Sequence, residues 1–363
     1  MSELMQASNE WATRPADERF TSLIEMRKHF ETLRDNSRQS VVRSNRLRCV
    51  PAIDNNGLLV DVRDEAYRPT NWAFGQLASL AKAPAGYLSK LPAPLAADCV
   101  NYGLQFTRDV EEVGVLTQSG GQDIVRAATG PNYGRIWNDD ILQTLVSRFG
   151  DGVSGEWKVP GEFGKDVAVT KANTTLYASD RDLFVFLADE HNRIELPNRR
   201  NGQSGAVARG MFMWNSEVGS KTFGLATFLF DYVCCNRIVW GAVEYKQVTI
   251  RHTGGAPDRY LDEMQPALIA YANGSASSVV NAIEQARDKR LDKDHLDAFL
   301  RDRFGASKVE PLKALHLAEE ERPIENLWDV TTAATAFARS IPHQDTRVEF
   351  ERAAGKILDL AAD

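Results

Sequence analysis

Hydrophobic and polar positions change rhythm along the chain, and each change predicts a different kind of structure. Between Ser22 and Leu33 the apolar residues recur at helical spacing. Two short strand-like runs follow, Cys49–Ile53 and Leu58–Val62, around an Asn55-Asn56-Gly57 turn whose Asn-Gly step supplies the positive φ of a tight hairpin. Pro69-Thr70 then opens an amphipathic helix carrying Trp72, Phe74, Leu77 and Leu80, and Pro84, Pro92 and Pro94 punctuate two shorter helices ending near Phe106.

From Val113 to His252 the pattern changes to strand-like runs, with β-branched and aromatic residues dominating and helix formers sparse. Val113–Thr117 and Asp123–Ala128 flank a Ser119-Gly120-Gly121 turn, and Asn138 is placed to cap a helix running from Asp139 to Phe149. Trp157–Val159, Val167–Thr170, Thr174–Tyr177, Leu183–Leu187, Val207–Trp214, Phe223–Phe228, Ile238–Trp240 and Val248–His252 continue the strand series. Beyond Thr253-Gly254-Gly255 strands stop and helical periodicity takes over, with Pro266 either kinking its helix or sitting in the first turn. The pattern divides the chain into a polar leader with one helix (1–48), an α+β core domain (49–254) and an acidic helical domain (255–363). The expected fold is α+β: a largely antiparallel sheet core with packed helices, followed by an all-helical C-terminal region.

Charge sharpens this division. The 363 residues carry a formal charge of −7, which argues against coating nucleic acid by bulk electrostatics. Residues 255–363 hold 14 basic and 20 acidic side chains, however, so almost all of the acidity belongs to the last third. There, Glu319-Glu320-Glu321 reads as a solvated helix end. No stretch has the length and apolarity of a membrane span or a signal peptide. Cys49, Cys99, Cys234 and Cys235 give neither a disulfide framework nor a zinc motif, as expected of thiols in a reducing cytoplasm.

Catalytic motifs mostly fail. Gly219-Ser220-Lys221-Thr222 lacks both glycines that a phosphate-binding loop needs, because Ser220 and Asn215 occupy their places. Gly202-Gln203-Ser204-Gly205-Ala206 misses the nucleophile-elbow spacing, and no pair of histidines forms HxxxH. Asp180-Arg181-Asp182 is the exception. Two carboxylates on one strand face, joined by Asp189 or Glu217, could hold Mg²⁺; a tight turn would splay them apart.

The densest chemical feature lies between His191 and His252. Arg193, Arg199, Arg200, Arg209, Lys221, Arg237, Lys246 and Arg251 face only Glu195, Glu217, Asp231 and Glu244. Residues 197–205 read as a flexible, acid-free loop, and Phe212, Trp214, Phe223, Tyr232 and Trp240 interleave with the cations. Cations that neutralise phosphates beside rings that stack bases are what sequence-tolerant binding of single strands requires. The competing reading places these aromatics in the core, as alternating strand residues usually are.

Arg209-Gly210, Asn215-Ser216-Glu217-Val218-Gly219, Cys235-Asn236 with Arg237, and Arg251-His252-Thr253-Gly254 together resemble the phage- and plasmid-associated domain of unknown function 932. The resemblance implies a mobile-element context beside recombination genes. It also implies a single-strand annealing protein of the Red-beta, Erf or RecT type, forming rings or filaments on DNA. On this reading the protein acts in the bacterial host cytoplasm as a homo-oligomer, needs no catalytic residue or cofactor, and works beside a recombination exonuclease. Arg199, Arg200, Arg209, Lys221 and Arg237 would meet phosphates, and Trp214 and Tyr133 the bases of single-stranded DNA. Two rival expectations are a Mg²⁺-dependent nuclease using Asp180, Asp182 and Glu217, and a structural or regulatory phage protein.

Overall fold

A computed structural model describes residues 15–53, 57–106, 111–121, 123–159, 168–231, 236–238, 248–338, 340–341 and 344–361. The Asn55-Asn56 turn, Cys234-Cys235, Trp240 and Lys246 lie outside them. In chain order the strands are β1 (Arg19–Phe20), β2 (Ser37–Arg43), β3 (Arg48–Pro51), β4 (Leu58–Val62), β5 (Glu65–Pro69), β6 (Glu112–Gln118) and β7 (Ile124–Thr129). They continue as β8 (Trp157–Lys158), β9 (Leu176–Ala178), β10 (Leu183–Asp189), β11 (Ile194–Leu196), β12 (Gly205–Asn215), β13 (Phe223–Asp231), β14 (Asn236–Ile238) and β15 (Val248–Ile250). The fold is α+β as expected, but its strands form two sheets.

The small sheet runs β2-β6-β7-β5-β4-β3, antiparallel except where β5 meets β7. Strands β2 and β3 end up at opposite edges, yet only Ser44–Leu47 lie between them. Four residues span at most about 14 Å. Across a flat six-stranded sheet the edges would stand roughly 24 Å apart. The sheet must therefore curl until its edges approach, and Arg63, just past β4, donates to the Val41 carbonyl of β2 at 3.3 Å. Strand β2 corrects the expectation of a polar leader: Ser37–Arg43 pairs with β6 along its whole length. Its sequence, Ser-Arg-Gln-Ser-Val-Val-Arg, hides the strand because an edge strand has one partner and tolerates polar residues.

The large sheet runs β1-β9-β10-β12-β13-β14, with β8, β11 and β15 pairing outside this path. Its two faces follow the period of two. Leu183, Val185, Leu187, Met211, Met213 and Phe223 point into the main core, whereas Phe184, Phe186, Phe212, Trp214 and Phe228 form a buried aromatic layer on the other face. Against the main core pack the helices α1 (Leu23–Asp35), capped by the Ser22 side chain, and, later in the chain, Asn138–Phe149.

The remaining helices complete both units. On the small sheet lie α2 (Asn71–Leu80), α3 (Ala85–Leu88) and α4 (Ala93–Phe106). After α5 (Asn138–Phe149) the chain returns to helix at α6 (Ala256–Arg259), passes through a π-helical turn (Tyr260–Met264), and resumes as α7 (Gln265–Asn273) with Pro266 in its first turn. Tyr260, Met264, Leu268 and Tyr271 belong to the main core of the large sheet. Then α8 (Ser277–Asp288), α9 (Lys293–Phe304), α10 (Val309–Glu320), α11 (Leu327–Ala338) and α12 (Gln344–Asp359) build a helical core. Ile194, Leu196, Val207 and Leu229 of the sheet enter that core, so packing crosses the boundary at 254/255. Among the described residues no helix is long and apolar enough to cross a membrane.

Candidate nucleic-acid interface

The side chains expected to meet phosphate in the 191–252 segment are mostly inside the protein. Arg199 is 1% exposed, donates through Nε to Glu320 at 3.0 Å and through Nη2 to Asp231 at 3.0 Å, and lies over the Trp328 ring. Burial alone would lower its pKa, but Asp231 and Glu320 raise it above the ordinary arginine value. Glu320 is thus buried, which corrects the reading of the triple-glutamate run as a solvated end. Glu321, the left-handed residue closing α10, pairs instead with exposed Arg200 at 3.1 Å. Arg209 is buried between Trp157 and Tyr271, donating to Asp189 at 2.8 Å and to the Gly274 carbonyl at 2.7 Å. Lys221 pairs with Asp182 at 3.5 Å over the Phe184 ring. Of Asn236 and Arg237 only the placement in β14 is described, and Cys235 lies outside the described residues.

Trp214 is 0% exposed and has no face to offer a base. It stacks on Phe212 at 4.8 Å and lies over Gly224, its partner across β12 and β13. A Cβ at Gly224 would come within 1.9 Å of the indole, so the strand position opposite the ring must be glycine. For Phe212, Trp214 and Phe223 the core reading is the one the fold adopts; Tyr232 and Trp240 lie outside the described residues.

The Asn215–Gly219 run is a latch between the two sheets. It leaves the end of β12, turns at Gly219 (φ +83°), and presents its groups to the small sheet. The Val218 carbonyl accepts from Trp72 Nε1 at 2.9 Å and Gln76 Nε2 at 2.8 Å, and the Ser216 carbonyl from the Tyr133 hydroxyl at 2.8 Å. Glu217, buried, accepts from Arg126 Nη2 at 2.7 Å and from the Asn138 backbone N–H at 2.8 Å. Asn138 is therefore the first residue of α5 and not its cap; the distant Glu217 carboxylate satisfies that helix end. Asn215 Nδ2 donates to the Ile136 carbonyl and to Asn138 Oδ1. His252 stacks on Tyr133 at 4.9 Å and donates through Nδ1 to the Gly134 carbonyl; burial pushes its pKa down to about 4. Arg126 was not anticipated. It occupies a register shift where Leu116 pairs Ala127 and Thr117 pairs Val125, and such a bulge re-aims a side chain. A lone arginine in an otherwise apolar strand is the signal that could have found it.

The metal candidates are not gathered. Exposed Asp180 lies beside Arg181, Asp182 accepts from Ser179 Oγ at 2.9 Å, and Glu217 is held by Arg126. Among the described residues no cluster of three His, Cys, Asp or Glu could hold a metal ion.

Exposed cationic side chains also lie on the curled small sheet, Arg38 and Arg43 on opposite faces of β2. Arg38 and Arg43 on β2, Arg46 in the turn, Arg48 on β3 and Arg63 past β4 are all exposed. None of them forms an ion pair with a described residue; Arg43 and Arg48 stand opposite Glu112 and Asp61 in the ladders without closing one. Helix α4 is fastened beside them by Asn101, which accepts from the Cys49 N–H at 2.7 Å and donates to its carbonyl at 2.8 Å. The next turn of α4 presents Tyr102 and Phe106, 69% and 63% exposed, with ring centroids 4.8 Å apart. With Tyr87, 61% exposed, they line an apolar groove of about 700 Å³ bordered by Lys82 and Asp98.

A family model described as a domain of unknown function, DUF932, matches residues 164–355, just over half of the chain. The chain belongs to the DUF932 family. In this DUF932 protein the matched residues supply β9 to β15, the helices α6 to α11 and most of α12, and contain the Asn215–Gly219 latch. The curled sheet and its arginines precede the match. No curated protein and no solved structure matches the chain.

Proposed function

We propose that this DUF932 protein binds single-stranded nucleic acid on its small, curled sheet and that multimers of it anneal complementary strands. The observation carrying this reading is the coincidence, on one unit, of five exposed arginines without an ion pair to any described residue and an exposed Tyr102–Phe106 ring pair. Phosphates are met by Arg38, Arg43, Arg46, Arg48 and Arg63; bases stack on Tyr102, Phe106 and Tyr87. Base stacking on an exposed aromatic contributes about 1–3 kcal/mol and tolerates any base. Sequence-tolerant contact is what annealing requires. The small sheet supplies the surface, and the latch fixes it to the family-matched large sheet.

Binding of a fluorescent oligothymidylate by the full chain tests the proposal. R38Q/R46Q/R48Q is expected to weaken binding at least tenfold, and Tyr102→Ala by roughly 5- to 150-fold from the stacking energy above. Light scattering with and without the oligonucleotide reports assembly. Wild-type affinity in the triple variant would reject this surface, and a monomer that stays monomeric on DNA would reject multimeric annealing.

A further inference from the structure

We propose that Arg135 is the centre of a second site, which takes an oxoanion of the phosphate class. Arg135 is 4% exposed, yet both terminal nitrogens of its guanidinium have no hydrogen-bond partner among the described residues. Among the described residues its one hydrogen bond is from Nε to Gln39 Oε1, a long 3.3 Å from an exposed side chain of β2. The Tyr133 and Trp137 rings lie 5.1 and 5.7 Å from the guanidinium carbon, so the group is stacked and held in place.

Among the described residues, the carboxylates of this region pair with other arginines. Asp139 serves Arg27 at 3.5 Å and Arg34 at 3.2 Å, Asp140 pairs with Arg34, and Glu217 is taken by Arg126 and the Asn138 N–H. Arg135 is therefore the surplus cation of this buried network. Burial pushes its pKa down to about 10, the direction expected of an uncompensated charge. A buried guanidinium left without acceptors is costly, and such groups in folded proteins call for an explanation by an ion or a catalytic role. The planar fork of four N–H donors matches two oxygens of a phosphate, with Gln39 as the group displaced on entry.

The site does not rest on the nucleic-acid reading. It is tested by thermal unfolding of the full chain in sodium phosphate against sodium chloride at equal ionic strength, and by oligothymidylate binding. Arg135→Met removes the charge at similar volume; Arg135→Lys keeps a cation without the fork and carries the same comparison should the methionine variant not fold. A saturable, phosphate-specific rise in Tm that the variant lacks assigns the site to a free oxoanion. Loss of oligothymidylate affinity by tenfold or more in the variant, with no response to phosphate, assigns it to a phosphodiester. Equal responses of wild type and variant to both probes overturn the proposal. R38Q/R46Q/R48Q should keep the phosphate response, so failure of the surface reading and failure of this one remain distinct.

Discussion

Glu217→Ala cuts the latch at its buried ion pair. The substitution removes a carboxylate that holds Arg126 at 2.7 Å and the first N–H of α5 at 2.8 Å. Breaking a buried pair from one side leaves an uncompensated charge and costs about 3–5 kcal/mol. Losing the helix-end contact adds about 1 kcal/mol, with overlap because both interactions share one carboxylate. A net loss near 4 kcal/mol follows, a large part of the roughly 5–15 kcal/mol that holds a typical domain together. Urea denaturation at neutral pH, followed by near-ultraviolet circular dichroism, measures it. R126M/E217M should recover much of the loss, because an apolar pair leaves no buried charge behind. A loss below about 1 kcal/mol, or strictly additive effects of R126M and E217M, would refute the coupling between the sheets.

Two further outcomes follow from buried groups. His316 is 1% exposed and burial drives its pKa down to about 4, so the folded state keeps it neutral while the unfolded chain protonates near 6.5. Stability should fall as pH drops from about 6.5 to 4, by up to about 3 kcal/mol for this residue, and His316→Leu should flatten that slope in urea titrations at pH 7 and 5. Gly224→Ala drives a methyl to within 1.9 Å of the Trp214 ring. It should lower stability by at least about 1–3 kcal/mol. An unchanged melting temperature would show that the aromatic layer is looser than described.

Much of the architecture was legible in the amino-acid order, because period and punctuation carry it. Leu183–Leu187, Val207–Trp214 and Phe223–Phe228 are short runs rich in apolar and aromatic residues, the mark of strands buried on both faces, and Thr70 caps α2 where Pro69-Thr70 signals a start. The split into two sheets was not legible, since pairing is non-local and β2 has the composition of a loop. The site residues were harder. A run of arginines and aromatics between 191 and 252 looks like a binding surface, but burial depends on partners 121 residues away in the case of Arg199 and Glu320. Arg38, Arg43, Arg46 and Arg48 follow one another with no acidic residue between them, but without β2 and β3 such a run has no surface to belong to. The Asn215–Gly219 motif stood out by resemblance, and its hydrogen bonds give it a structural reason: it fastens one sheet to the other.

The most direct measurement of the central claim is the salt dependence of oligothymidylate affinity. Five arginines each neutralising one phosphate of a single strand give a slope of log affinity against log salt near −3.5. In R38Q/R46Q/R48Q two remain, and the slope should fall to about −1.4. A slope near zero in the wild type, or one unchanged in the triple variant, would contradict the placement of nucleic acid on the curled sheet.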